Sequence, residues 1–546
     1  MFRETNKHKQ LDLQSCVAQQ LDKSSYKIYS DTTLWHNVFF KNVTSKIDET
    51  KFKCLYNDHN GAPNSSIRLL IAMMILKEGR GWSDQDLFEE SQFNLLVRKA
   101  LGLPDIKEVI PCASTYYLLR KRIVAHEKST QTNLFSEIFK SVTESQIIEF
   151  EVSGKSIRMD SKLIGSNIAY YSRYELIHKT LLLYLRNSTP LVLTQFTQTE
   201  QQRLSELLEE DSAKTIYRSS KDVIFDKLVN VGYLIFKILG LENQNKTSQE
   251  YLTLKTVFEQ QYNPLENEEI EVRRKEEISA QSIQSPYDTE CTYRKKNEEV
   301  TKGYSQNITE TCNKEGLNLI TDIECKPASA ADCDFLVPAA NNTQELFEET
   351  IENIHTDGAY HSPENQSYSD LKEINLYCTA MQGAVGRYDL SSLAEGESYI
   401  IDNKTNEKLL VTTTPNNTYR ISTINGYRYF NEQAVSNSVL RKNFENLPQE
   451  IKNIRNNVEA SIFQLAFHLR KDRTRYRGLI KNKMWAIARC LWINCARITK
   501  YIGIIGQNLT NITIFIDLCY NYLILLFCIF SRKKLRLLES NGFFKN

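Results

Sequence analysis

The sequence predicts an α/β protein in which an all-helical N-terminal region precedes a core that contains a sheet. Apolar residues recur at helical spacing through much of residues 65–145. Residues 156–162 instead alternate between two kinds of side chain, and residues 353–357 form a second short strand pattern that ends in an aspartate. Helices followed by strands that are separated by further helical stretches indicate a helical domain joined to an α/β core.

The composition is that of a globular protein with reduced cysteines. Hydrophobic residues make up 41% and charged residues 25% of the 546 positions. The formal net charge is only +1, so a nucleic-acid partner has to be inferred from local basic patches. No two of the twelve cysteines have the C-x-x-C spacing of a zinc or redox site. This scatter indicates structural thiols in a cytoplasmic protein.

One apolar run lies near the C-terminus, at residues 522–530. A helix that spans a bilayer needs about 20 apolar residues, so this run is too short. We therefore expect a buried or interfacial helix there and no membrane partner.

The N-terminal region, residues 1–148, is predicted to contain four principal helices. The first covers residues 65–77, the second begins at Ser83 with Asp86 in a capping arrangement, the third begins at Ser114 and the fourth covers residues 130–145. Short helices joined by tight turns suit a DNA-binding domain, and a small bundle with a solvated basic edge is the alternative. The candidate phosphate contacts on the third helix are Arg120, Lys121 and Arg122.

The strand patterns of the core are separated by two long stretches of different character. Alternation predicts a first strand in which Ile157 and Met159 point one way and Arg158 and Asp160 the other. Helical spacing in residues 170–290 predicts a helical insertion, and short alternating runs in residues 385–445 predict a β-rich one. Between the insertions we expect a hairpin over residues 301–311 and 317–324, a helix over 343–353, a strand ending at Asp357 and a strand over 374–379.

A third acidic residue lies on a helix that is predicted to begin at Gln449. Arg455 and Glu459 are four residues apart and therefore lie on the same helix face. Arg455 is thus placed either to orient the carboxylate or to bind a phosphate with both guanidinium nitrogens. The alternative is an ordinary surface ion pair, worth a few tenths of a kcal/mol.

The most basic stretch of the chain is residues 468–500, where ten lysines and arginines accompany one acidic residue. Tyr476, Trp485 and Trp492 are interleaved with them. Such a one-sided run favours contact with DNA phosphates over a merely solvated helix face. The candidate DNA-binding residues here are Arg470, Lys471, Arg473, Arg475, Arg477, Lys481 and Lys483.

Four pieces of the chain resemble the DDE transposases of bacterial insertion sequences, which belong to the ribonuclease H-like superfamily. They are Leu69–Leu103 with Gly81-Trp82-Ser83-Asp84-Gln85, Arg158-Met159-Asp160-Ser161, His355-Thr356-Asp357-Gly358-Ala359-Tyr360 followed by Ser362-Pro363-Glu364-Asn365, and Arg455-Asn456-Asn457-Val458-Glu459-Ala460 followed by Tyr476-Arg477-Gly478. Two positions depart from the fuller signature, because Lys452 replaces a tyrosine before the arginine and Ala466 replaces a lysine after the glutamate.

The resemblance implies a ribonuclease H-like mixed sheet in a catalytic domain over residues 149–500, with a tail over 501–546. It implies a catalytic triad of Asp160, Asp357 and Glu459, which would bind two Mg²⁺ ions with Mn²⁺ as a substitute, and a catalytic role for Arg455. Two such ions serve the attacking and leaving oxygens of a phosphodiester, and hard carboxylate oxygens suit them.

The expected reaction is cleavage of DNA at the element's ends followed by strand transfer into target DNA. The implied partners are double-stranded DNA, as terminal inverted repeats and target, and a second copy of the chain in a homodimer on DNA. The implied location is the bacterial cytoplasm, at the nucleoid when DNA is bound. Two alternatives stay open: a catalytically inactive or repurposed DNA-binding relative, and a metal-dependent nuclease on the same fold.

Overall fold

The computed structural model describes residues 1–506 except 6–14, 58–60, 242–245, 266–268, 297, 380–384, 415–417 and 425. The apolar run at residues 522–530 lies outside the described residues. Within the described part of the chain, no helix combines the length and the apolar character that crossing a membrane requires.

The N-terminal part is helical, as predicted. Its helices are α1 (Val17–Gln20), α2 (Lys23–Ser30), α3 (Trp35–Asn42), α4 (Ile67–Arg80), α5 (Asp84–Phe93), α6 (Leu95–Ala100), α7 (Ala113–Thr130) and α8 (Leu134–Phe150), with 3-10 turns at Thr44–Lys46 and Glu49–Leu55. The predicted capping box is confirmed, because the side chains of Ser83 and Asp86 each accept a hydrogen bond from the other's backbone N–H. The fourth predicted helix begins four residues late, since α7 continues to Thr130 and ends at Gln131 in a left-handed conformation.

The first strand, β1 (Ser156–Gly165), has the predicted alternation, with Ile157 and Met159 fully buried on one face. The predicted helical insertion follows it. It contains α9 (Arg173–Gln195), α10 (Gln198–Glu209), α11 (Ser212–Arg218), α12 (Lys221–Gly240) and α13 (Gln249–Gln261), a small hairpin of β2 (Tyr262–Pro264) and β3 (Ile270–Val272), and a 3-10 turn at Lys275–Glu277. These helices bury their own apolar core, which is separate from that of the sheet.

The chain then returns to the sheet. The elements are β4 (Thr292–Lys296), β5 (Glu299–Thr311), β6 (Ile320–Pro327), a 3-10 turn (Asp332–Phe335), α14 (Leu336–Gln344), β7 (Asn353–Thr356), a 3-10 turn (Gly358–Tyr360), α15 (Pro363–Leu371) and β8 (Asn375–Cys378). The predicted helix over residues 343–353 is wrong. The helix ends at Gln344. The spacing of Leu346 and Ile351 suggested a longer helix, but these two residues lie in an irregular segment and are buried there.

The second insertion is only partly β-structured. It contains β9 (Tyr388–Asp389), α16 (Ser391–Ala394), β10 (Tyr399–Asp402), β11 (Lys408–Leu410), β12 (Thr412–Thr413), β13 (Tyr419–Thr423), β14 (Gly426–Phe430) and α17 (Glu432–Glu445). The helix predicted from Gln449 is also interrupted. It divides into α18 (Gln449–Asn456) and α19 (Val458–Ala466), and a further helix, called the C-terminal helix below, covers residues 479–506.

Six strands of the described chain form one mixed sheet in the order β6–β5–β1–β7–β8, with β4 paired to the first half of β5. The strands β6, β5 and β1 are antiparallel neighbours, whereas β1, β7 and β8 run parallel. The helix α14 covers one face together with part of α17. The other face is covered by α18 and α19, and by a core that the N-terminal helices share with the C-terminal helix.

Candidate active site

Two of the candidate acidic residues lie side by side because of the register of β1 and β7. These strands are parallel, and the last aligned pair is Arg158 with His355. Asp160 and Asp357 both follow that pair by two residues, so Asp160, in the middle of β1, is level with Asp357, which follows the carboxyl end of β7. Ligand sites in open α/β sheets gather at this edge, where loops leave the strands.

Each aspartate is held by local hydrogen bonds. Asp160 Oδ1 accepts from the Ser161 N–H at 2.8 Å. Asp357 Oδ1 accepts from the Ala359 N–H at 2.8 Å and so caps the 3-10 turn that follows β7. Burial raises the pKa of Asp160, Arg455 opposes that shift, and the negative charge of Asp357 adds to it. The two carboxylates therefore repel one another, which is the condition that a shared cation relieves.

Arg455 connects Asp160 to Glu459. Its Nη2 donates to Asp160 Oδ2 at 2.8 Å, and its Nη1 lies 3.3 Å from Glu459 Oε1. The two carboxylates differ in exposure, since the Asp160 side chain is 13% exposed and the Glu459 side chain 62%. Arg455 and Glu459 remain one turn apart although the helix breaks at Asn457 between them. The guanidinium of Arg455 therefore acts as the counter-ion of both Asp160 and Glu459 in this conformation.

A buried ionic cluster, which the sequence patterns did not predict, fixes the helices that carry Arg455 and Glu459. Glu310 is fully buried on β5 and accepts from Arg158 Nε at 2.6 Å, from Arg497 Nη2 at 2.7 Å and from the hydroxyl of Ser461. Arg158 also donates to the carbonyl of Ile454 at 3.0 Å. The cluster thus joins two strands, α18, α19 and the C-terminal helix. Its only signal in the sequence is Arg158 beside the catalytic candidate.

A second set of polar residues surrounds the same edge of the sheet. The Ser161 hydroxyl donates to Asp332 at 2.9 Å, and Arg294 binds that carboxylate with both terminal nitrogens, at 3.2 and 3.1 Å. The buried hydroxyl of Tyr360 donates to Asn307 at 2.6 Å. Burial raises the pKa of Tyr360, and the charges of Asp160, Asp332 and Asp357 add to that shift. The phenol therefore stays protonated beside three aspartates.

The donor chemistry of the site suits a hard divalent cation, but the arrangement is incomplete. Asp160 and Asp357 offer neighbouring carboxylates, whereas Glu459 is engaged with Arg455. Among the residues that the structure describes, no three His, Cys, Asp or Glu side chains lie close enough together to hold a metal ion. Of the three expected ligands, only Asp160 and Asp357 are thus placed as neighbours, and Glu459 would have to leave Arg455 to join them.

The basic candidates fall into two groups. In the first group, the cationic side chain contacts other parts of the protein. Three arginines donate to backbone carbonyls: Arg473 to Ile168, Arg475 to Trp82 and Gly81, and Arg477 to Asn167. Lys483 forms an ion pair with Glu324, and Arg122 lies over the ring of Tyr56. In the second, Lys121, Arg470, Lys471 and Lys481 are exposed. Arg120 lies between these extremes, over the rings of Tyr116 and Tyr476.

Comparison with known proteins gives one result. Residues 26–122, from within α2 to within α7, match a family model described as "Transposase domain (DUF772)". No curated protein and no solved structure matches the chain. The N-terminal helices are thus similar to a transposase domain, and this match supports a transposase role.

Proposed function

We propose that this chain is a DDE transposase with a ribonuclease H-like catalytic domain, which cleaves DNA at the ends of a mobile element and joins those ends to target DNA. The observation that carries the proposal is the placement of Asp160 and Asp357 at corresponding positions on parallel strands, below a helix pair that brings Arg455 and Glu459 to the same edge. The transposase domain at residues 26–122 supports it independently.

The order of the sheet supports the fold assignment. The strands β6, β5 and β1 are antiparallel neighbours, and β7 and β8 run parallel to β1. This is the arrangement expected of a ribonuclease H-like mixed sheet. Both insertions leave the sheet without disturbing it. The first lies between β1 and β4, and the second lies after β8.

We propose that Mg²⁺ is the cofactor and that Asp160 and Asp357 bind it, with Glu459 as the third ligand. The cation, when bound, would supply the charge that activates the attacking oxygen and stabilises the leaving oxygen of a phosphodiester. The chain's own residues orient the site. Ser161 N–H and Ala359 N–H fix the two aspartates, and the Glu310 cluster fixes the helices that carry Arg455 and Glu459.

The guanidinium of Arg455 has a second use in this proposal. A DNA phosphate offers the same bidentate oxygen pair as a carboxylate, so it competes for the donors that now contact Asp160 and Glu459. Transfer of Arg455 to a phosphate would release both carboxylates at the moment that the substrate arrives.

The test uses the full-length protein and a labelled duplex that carries the DNA flanking the reading frame. With Mg²⁺ present, we expect nicked ends and end–target joints from the wild-type protein and neither product from Asp160→Asn, because one ligand and one negative charge are lost. The affinity of Asp160→Asn for the same duplex should stay within about threefold, since removing a carboxylate does not remove a phosphate contact. Asp370→Asn, at an exposed aspartate on α15, is the control and should keep both products.

Three outcomes would overturn parts of the proposal. Cleavage that survives in Asp160→Asn would reject the site. Hydrolysis without any joined product would identify a nuclease, and duplex binding without cleavage by the wild-type protein would identify an inactive relative.

A further inference from the structure

A cavity of about 340 Å³ lies away from the acidic site, between the N-terminal helices and the start of the C-terminal helix. Met74 and Glu78 of α4 and Tyr116 and Arg120 of α7 line one side, and Trp485 of the C-terminal helix lines the other. The cavity is at the small end of the range found for ligand sites, about 300–1,000 Å³. It therefore has room for one small ligand and not for a DNA duplex.

Arg120 is the main cationic group of this cavity. Its guanidinium carbon lies 5.6 Å from the centre of the Tyr116 ring and 5.1 Å from that of Tyr476. None of its nitrogens donates a hydrogen bond to another described residue. The nearby carboxylates already have partners, since Glu78 accepts from Tyr476 and Asp84 accepts from Tyr117 at 2.8 Å. The guanidinium of Arg120 is therefore oriented by aromatic contacts, and its N–H groups remain available as hydrogen-bond donors.

The rest of the lining combines further positive charge with an apolar floor. Lys121 and Lys481 are exposed and come from the two basic stretches that are far apart in the sequence. The floor is made by Val124, Met484 and Trp485 among others, and Glu78 contributes the one carboxylate of the lining. Three cations against one carboxylate favour an anionic ligand, and the apolar floor favours a ligand with a flat apolar body.

We propose that this cavity binds a single unstacked nucleotide of a DNA strand, with its base on the apolar floor and its phosphate between Arg120, Lys121 and Lys481. A nucleotide has both properties that the lining selects, because every base has an apolar face and every link has a negative charge. The inference rests on the proposed function only in taking DNA as the substrate. The cavity lies between the helices that match the transposase domain and the C-terminal helix. A nucleotide bound there would therefore contact both.

The experiment compares two fluorescent duplexes that differ only by one unpaired thymidine, with EDTA present so that cleavage plays no part. The variant Arg120→Gln should bind the duplex with the unpaired nucleotide roughly tenfold more weakly, in line with the loss expected when one base loses its stacking site. Its affinity for the fully paired duplex should change less than threefold. Thymidine 5′-monophosphate should change the fluorescence of the wild-type protein, through Trp485, more than that of Arg120→Gln.

Two further variants separate this site from general phosphate binding. Arg122→Gln removes the same charge from the same helix, but Arg122 lies over Tyr56 at 4.8 Å and does not line the cavity. Its effect on binding affinity should be the same for both duplexes. Ala488→Leu fills the cavity without changing charge, and it should weaken only the duplex with the unpaired nucleotide.

Equal weakening of both duplexes by Arg120→Gln, or unchanged discrimination in Ala488→Leu, would overturn the proposal. The result is independent of the catalytic assignment. If Asp160→Asn still cleaves DNA, the proposed nucleotide site is unaffected. If Arg120→Gln does not distinguish the two duplexes, the assignment of the acidic site is unaffected.

Discussion

Buried carboxylates in this chain behave in opposite ways according to their neighbours. Glu310 and Asp322 lie on the paired strands β5 and β6, and both are largely removed from water. Burial by itself raises the pKa of each group. Arg497 and Arg158 outweigh that effect at Glu310, so its pKa is lowered, whereas burial and the charge of Glu324 raise the pKa of Asp322 to about 8. Asp322 Oδ1 accepts a hydrogen bond from the side-chain amide of Asn342 at 3.0 Å.

A pH dependence of stability follows from Asp322. The folded protein keeps this proton up to about pH 8, whereas an unfolded aspartate releases it near 3.9. The folded state therefore binds more protons over that window, and the contribution of Asp322 to stability falls as the pH rises from about 4 to about 8. The variant Asp322→Asn carries no such charge. We expect its melting temperature, relative to wild type, to be higher at pH 8 than at pH 5.5.

The exposed variant Asp370→Asn serves as the control for this measurement. Its difference from wild type should be the same at both pH values. A constant difference for Asp322→Asn as well would show that the carboxyl is ionised in the folded protein throughout this range.

At the scale of single elements, the sequence predicts helix starts well where a capping residue marks them. Ser83 with Asp86 begins α5 where predicted, and Ser362 with Pro363, which has the same kind of local capping chemistry, begins α15. The break at Asn457 has no such signal. Arg158 holds the Ile454 carbonyl on one side of it and Glu310 holds Ser461 on the other. Long-range contacts of this kind decide where α18 ends, and they cannot be derived from helical spacing.

Gly79 determines how closely α4 approaches the C-terminal helix. A Cβ placed there would overlap the indole of Trp492. Arg489 donates to the carbonyls of Glu78 and Gly79 at 2.9 and 2.8 Å, so the two helices are also tied at this point. In an isolated helix, alanine is favoured over glycine by about 1 kcal/mol. We expect Gly79→Ala nevertheless to lower the free energy of unfolding by about 1–3 kcal/mol, because overlap in a packed core forces a shift.

The matched control is Gly240→Ala at the end of α12, where a Cβ would meet no described atom within 4 Å. Chemical denaturation should show an unchanged or slightly raised stability for this variant. Equal effects of the two alanines would mean that α4 and the C-terminal helix do not pack closely in solution.

At the scale of the whole molecule, insertions separate residues that the sheet brings back together. Asp160 and Arg455 are hydrogen-bonded although 295 positions separate them in the chain. Periodicity predicted the strand and the helix that carry these two residues, and the resemblance suggested that they meet. Neither could predict the Glu310 cluster or the hydrogen bond from Arg455 to Asp160 in place of a phosphate, because these depend on how strands and helices pack in three dimensions.

The helical insertion should be removable. Gly165, before it, and Thr292, after it, both pair with Gly303, on opposite sides of β5, so they lie about two strand spacings or roughly 10 Å apart. Its core extends from Tyr174 to Ile283 and is separate from that of the sheet. We expect replacement of residues 172–284 by a short Gly/Ser linker to leave a cooperative thermal transition within a few degrees of the original.

Removal of residues 385–445 provides the contrast. Leu440 and Phe444 of α17 pack in the core on one face of the sheet, so this deletion should abolish or strongly lower the transition. Similar losses from both deletions would show that the helical insertion stabilises the sheet as well.

The shared core of the N-terminal helices and the C-terminal helix has a consequence for folding during synthesis. A chain emerging from the ribosome presents Phe39, Ile71 and Met74 long before Trp485, Leu491 and Trp492, which complete the same core, have been translated. At about 5–20 residues per second, more than 400 residues take at least about 20 seconds to make. During that interval the nascent helices have an uncovered apolar side, so we expect this segment to depend on chaperones until synthesis ends.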